Sequence, residues 1–190
     1  MTLLYLGIAI WILVHLFKRI APEARAAMGR AMGQGPAKGV IAVLLVISIV
    51  LMVIGYRAAP YDPVYAPLAG MGHLNNLLML VAVMLLGAGS SKGKMRSWFR
   101  HPMLLGVIVW SFAHLLVNGD FASVVLFGSM ALWAVAEILL INRAEPTWAR
   151  PEPGPIKGDI RLLVIALVLY AIIAGIHVAL DHNPFLGTYA

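Results

Sequence analysis

Six histidines, His15, His73, His101, His114, His177 and His182, are the side chains in this 190-residue chain best suited to chemistry near neutral pH. Neutral imidazole is a base and a common ligand of metals and haem iron. With no cysteine the chain has no Cys-x-x-Cys-His attachment site, so any haem it holds is of the noncovalent b type. No His-Glu-x-x-His is present for a zinc hydrolase, and there is no strand-to-helix nucleophile elbow for a serine hydrolase. The chemistry open to these residues is ligation of a metal or haem iron by imidazole.

The elements that carry them follow from composition. The chain is 62% hydrophobic and 12% charged, with a mean hydropathy of +0.90, far from the balance of a water-soluble domain. Its solvent is lipid. Runs without Lys, Arg, Asp or Glu cover residues 2–17, 39–56, 72–89, 102–118, 121–141 (broken only by Glu137) and 162–180. At about 1.5 Å per residue against a hydrocarbon core about 30 Å thick, these are six transmembrane helices, the first and fourth the shortest. The two-residue alternation of a β-barrel is absent. The expected fold is all-α: one integral membrane domain over residues 1–190, with six spans.

Charge orients it. Thirteen of the fourteen basic residues fall in the first, third and fifth loops, and the second holds only Arg57. Those odd-numbered loops are therefore cytoplasmic and both termini lie on the other side, as expected for a bacterial inner-membrane protein. The formal charge of +6 thus reports topology, and no nucleic-acid partner is needed to explain it. The first run precedes its basic residues, the reverse of a signal peptide, so it is expected to be retained. Asn118-Gly119-Asp120 offers a C-terminal glycine and an Asp N-cap, predicting a tight antiparallel hairpin; Pro102 suits a first helical turn. The proline-rich stretch 145–155 is expected to be extended.

Within this frame the informative residues are those that lipid should exclude. His114 follows His101 by thirteen residues on one helix, about 20 Å, too far in to reach water by snorkelling. His15 lies about 20 Å from the outer surface, and His114 about 10 Å nearer to it. His73 and His177 stand near the outer ends of their helices, His101 at the cytoplasmic mouth, and His182 outside. The plain alternative for any one of them is a hydrogen bond to a backbone carbonyl or a neighbouring side chain. Asn75 and Asn76 suit interhelical hydrogen bonds, and Glu137 is expected to reach the interface or to pair with a lysine of the third loop. Tyr5, Tyr56, Tyr61, Tyr65, Trp98 and Trp148 suit interfacial belts.

The stretch Arg100-His101-Pro102-Met103-Leu104-Leu105-Gly106, with Trp110, Ala113-His114-Leu115-Leu116 and Asn118-Gly119-Asp120-Phe121-Ala122-Ser123, resembles the signature of the NnrU family. Leu6-Gly7, His15-Leu16, Lys38-Gly39, Gly55-Tyr56 and His73-Leu74 are similar as well, and the likeness runs over about residues 2–140. The resemblance implies an integral membrane protein linked to the nitrite and nitric oxide steps of denitrification. It also implies kinship with the plant 15-cis-zeta-carotene isomerase, a haem b enzyme. By that kinship His114 and His15 correspond to iron ligands. The order expected for cofactor binding is His114, then His15, then His73, with His114 and His15 as the metal ligands and His101 beside the site.

Two function classes follow. One is a haem b protein that serves nitric oxide metabolism or, if it is an enzyme, isomerises a polyene such as zeta-carotene. The other is a cofactor-free transporter or assembly factor using Asn75, Asn76 and Glu137, though no second half repeats the first.

Overall fold

The computed structural model describes residues 1–186. Seven α-helices form among them: α1 (Thr2–Ile20), α2 (Pro22–Met32), α3 (Gln34–Arg57), α4 (Met71–Ala88), α5 (Pro102–Val117), α6 (Phe121–Ala144) and α7 (Ile156–Ala179). A single 3₁₀ turn, Met95–Ser97, interrupts the link from α4 to α5. No strand occurs among the described residues, only an isolated bridge between Pro63 and Asp120.

The structure is the expected membrane helical bundle. Five helices, α1, α3, α4, α6 and α7, are long and apolar enough to cross a bilayer. The remaining apolar helix, α5, has 16 residues, about 24 Å of rise. It is closed at one end by Pro102 and at the other by the hairpin into α6.

The first basic loop differs from expectation. Residues 22–32 form α2, separated from its neighbours by single residues, Ala21 and Gly33. Pro22 starts it where a missing N–H costs nothing. Gly33 ends it at φ 86°, a left-handed conformation that side chains disfavour. A search for apolar runs passes over such a helix, because its polar face keeps its average hydropathy low.

The helices pack in an open row in the order α3, α1, α6, α5, α4, α7, with α6 also touching α3. At one end α1 and α3 approach closely. A Cβ on Gly55 would strike the backbone of Leu4, and one on Gly7 would meet the backbone of Met52 and Ser48 at 2.7–2.8 Å. Small residues at such a crossing replace the hydrophobic drive that lipid removes. The buried cluster continues from Leu4, Ile8 and Met52 into Ala122, Met130, Trp133 and Ala134 of α6.

On the outer side, residues 57–70 clamp the α5–α6 hairpin. The Gly119 carbonyl accepts from the N–H groups of Val64 (2.8 Å) and Tyr65 (3.1 Å). The Tyr65 hydroxyl donates to the carbonyls of Leu115 and Asn118. Gly119 is required here by this close approach, since a Cβ would collide with the Tyr65 carbonyl; it does not adopt the left-handed conformation expected of a helix-ending glycine. Asp120 caps α6 as expected, accepting from Ser123 N at 3.0 Å.

At the basic end the Asp159 carboxylate accepts the backbone N–H groups of Lys94 (2.9 Å) and Met95 (3.0 Å), fastening α7 to the third loop. Arg150 Nε donates to the Ser97 carbonyl at 2.6 Å. Arg19 pairs with Glu145 at 2.9 Å and holds that exposed carboxyl below its ordinary range. Residues 145–155 carry no regular structure, as their prolines predict.

Candidate functional site

Two helices carry the same spacing: Trp11-x-x-x-His15 on α1 and Trp110-x-x-x-His114 on α5. Four residues are about one turn, which sets the imidazole over the tryptophan carbonyl. His15 Nδ1 lies 2.9 Å from the Trp11 carbonyl oxygen and His114 Nδ1 2.9 Å from that of Trp110. His177 Nδ1 stands in the same relation to Ile173, at 2.8 Å. A carbonyl can only accept, so in each case Nδ1 carries a proton, and in the neutral ring the lone pair is then on Nε2. That is the tautomer of a histidine that ligates through Nε2, oriented by a backbone partner behind it.

The rings are set by α6. His15 and Trp11, with centroids 4.2 Å apart, both meet Trp133, at 4.7 and 5.3 Å. His114 stacks on Phe127 at 4.5 Å, and Trp110 meets the same ring edge-on at 4.9 Å. Phe127 and Trp133 are six residues apart, about 9 Å along the helix. Since α5 runs antiparallel to α6 and α1 runs parallel to it, the tryptophans lie between the two histidines along the bundle axis. His15 and His114 therefore occupy separate aromatic nests on one helix, at different depths.

His177, near the outer end of α7, is close enough to His114 to act on it electrostatically. Between α5 and α7 in the row stands α4, with Asn75 and Asn76 in its first turns. Asn75 Nδ2 donates to Asn76 Oδ1 (3.1 Å), and Asn76 Nδ2 donates to the Pro184 carbonyl (3.0 Å). Asn75 Oδ1 is buried without a partner. The outer third of the bundle thus gathers His114, His177 and this asparagine pair.

The remaining residues singled out in the sequence lie elsewhere. His73 is exposed in the first turn of α4, with its backbone N–H on the Gly70 carbonyl (3.2 Å). His101 precedes α5 at the basic end, with Nε2 2.9 Å from Asn142 Oδ1. His182 is exposed, and its backbone N–H donates to the His177 carbonyl at 2.8 Å. Glu137 is not paired with a third-loop lysine: its Oε2 is buried without a partner one turn beyond Trp133. Tyr56 is drawn inward, its hydroxyl 2.8 Å from Ser123 Oγ. Ser123 Oγ itself donates to Asp120 Oδ2 at 2.5 Å, so Tyr56 is the donor to Ser123.

No group of three or more His, Cys, Asp or Glu side chains able to hold a metal ion occurs among the described residues. Two signals for this arrangement lay unread in the sequence, the repeated Trp-x-x-x-His spacing and the aromatic pair Phe127 and Trp133 on α6.

An all-helical bundle with five long apolar helices, holding three imidazoles whose Nδ1 atoms rest on backbone carbonyls, defines a polytopic membrane protein. The chain belongs to the NnrU family: the family model, described as NnrU protein, matches residues 3–184. The match therefore extends beyond residue 140 and through α7. No curated protein and no solved structure matches the chain.

Proposed function

We propose that this NnrU-family protein binds haem b inside the membrane, with His114 as the principal residue that would hold it. The observation that carries this reading is the backbone hydrogen bond at His114 Nδ1, which in the neutral ring leaves the lone pair on Nε2, with the ring held in an aromatic nest. Haem needs only one or two protein ligands, in keeping with imidazoles set one to a nest. His15 shares the Nδ1 hydrogen bond and corresponds to a ligand by family likeness; His177 shares it and is within electrostatic reach of His114. His73, exposed at the end of α4, is the weakest of the four.

Bound haem would supply an iron centre for redox or isomerisation chemistry. This chain's residues would orient the ring and exclude water, through Trp110 and Phe127 around His114. A site in the apolar band admits neutral reactants. Nitric oxide and a polyene such as zeta-carotene qualify, whereas the nitrite anion would be costly to bring in. The proposed role is therefore in nitric oxide handling or in cis–trans isomerisation of a polyene.

The test is an absorption spectrum with a pyridine haemochromogen assay on haem-replete protein and on His114→Ala, His15→Ala, His177→Ala and His73→Ala. A Soret band in the wild type that is lost in His114→Ala is expected. Wild-type protein without a Soret band would overturn the reading, and activity retained in His114→Ala would favour a cofactor-free transporter using Glu137.

A further inference from the structure

A groove of about 260 Å³ lies where α1, α2 and α3 meet at the basic end. It is lined by Leu13, Val14 and Phe17 of α1, Met28 of α2, and Val40, Ile41 and Leu44 of α3. Every lining side chain is apolar. Water needs two to four polar partners to be held, and these side chains offer none, so the natural filling is hydrocarbon. The groove opens sideways to lipid, as Leu13 is 64% and Val40 40% exposed.

One helical turn from the lining on each helix stands a cation. Lys18 follows Val14 by four residues, Arg25 precedes Met28 by three, and Lys38 precedes Ile41 by three. Such spacings place both members of a pair on one helix face. Lys18 and Lys38 are exposed, Arg25 is half-buried, and none of them forms an ion pair among the described residues. Arg19, beside them, is already engaged by Glu145. Three cations thus stand around the end of a hydrocarbon groove at the depth of the cytoplasmic headgroups, Lys18 also within electrostatic reach of the Glu145 carboxylate that Arg19 holds.

We propose that the groove between α1 and α3, roofed by α2, binds one acyl chain of an anionic phospholipid whose phosphate is held by Lys18, Arg25 and Lys38. A loop that served topology alone would need the charges but not the groove. The apolar lining fixes the chain, and the cations select the headgroup. α2 is the device that makes the site: it carries Met28 into the groove and Arg25 to its mouth. The inference is independent of haem.

The full-length protein is reconstituted in nanodiscs holding equal amounts of phosphatidylcholine and phosphatidylglycerol, and the lipid it retains on release is identified by native mass spectrometry. Wild type is expected to retain phosphatidylglycerol in preference to phosphatidylcholine, the preference falling about fivefold for each of Lys18→Gln, Arg25→Gln and Lys38→Gln. Val40→Trp, which fills the groove and leaves every cation in place, is expected to abolish retention. Far-UV circular dichroism and size exclusion check its fold, and Leu13→Trp, at an already exposed position, carries the same test if Val40→Trp does not fold. Equal retention of the two lipids by wild type overturns the proposal. So does phosphatidylglycerol held by a folded groove-filling variant as well as by wild type, since attraction would then be diffuse surface charge.

Discussion

His15 and His114 rest on the same helix, α6, one against Trp133 and the other against Phe127, and each donates Nδ1–H to the carbonyl of a tryptophan one turn earlier. Two different transmembrane helices thus present imidazole in one tautomer, from nests about 9 Å apart along α6.

If His114 ligates the iron, the defect of a truncated side chain should be repairable from outside. His114→Gly is expected to lose most bound haem and to regain its Soret band with millimolar imidazole in the buffer. His101→Gly, whose partner is Asn142 at the basic end, should keep its haem without imidazole.

Close helix approach sets the next expectation. Gly55→Ala drives a methyl group into the Leu4 backbone and should destabilise the protein by about 1–3 kcal/mol, because overpacked backbone cannot rotate away. Gly39→Ala, with nothing within 4 Å, should be close to neutral. Thermal unfolding followed by circular dichroism in detergent compares the two.

The cap on α6 should respond to a single atom type. Asp120→Ala removes the acceptor for Ser123 N and Ser123 Oγ and should cost about 1–2 kcal/mol. Asp120→Asn, which keeps an acceptor oxygen, should lose less. The same unfolding assay ranks the three proteins.

Alkaline pH should release the outer clamp. Burial, and the nearby negative charge of Asp120, raise the Tyr65 phenol above its ordinary value. A folded-state pKa above the unfolded one means that the stabilisation is complete below the unfolded pKa of about 10 and is lost as pH climbs through the folded value. The phenol must keep its proton to donate to Leu115 and Asn118. Loss of protection at the Val64 and Tyr65 amides above pH 10, measured by hydrogen exchange, is expected in wild type. In Tyr65→Phe those amides should be weakly protected at every pH.

The spans were legible in the sequence because lipid imposes a composition that nothing else mimics, and Asp120 was legible because an N-cap is a local feature. α2 was not, since an interfacial helix of 11 residues with Arg25 and Arg30 on it averages to the polarity of a loop. Gly119 was read as a turn former, but its reason is Tyr65, fifty-four residues away in sequence and adjacent only after folding. The depth of His177, close to the layer of His114, was legible, but its lateral position depends on the row order α5, α4, α7, which hydropathy does not encode. The pairing of Trp11 with His15 and of Trp110 with His114 was present as a plain four-residue spacing. It becomes visible once the hydrogen bond it supports is seen.

The placement of α7 at the end of the row bears on how the molecule is made. Chains are synthesised from the N-terminus, so α1 to α6 have been made before α7 emerges. α1 to α6 contain both Trp-x-x-x-His units and their shared wall, so both nests can assemble while α7 is still inside the ribosome. The stretch 145–155, extended at about 3.3 Å per residue, gives α7 slack to insert on its own. When Asp159 emerges, Lys94 and Met95, whose amides it must find, have already been made. The last helix is then a latch on a bundle whose aromatic nests do not depend on it, fastened through Asp159 to the third loop.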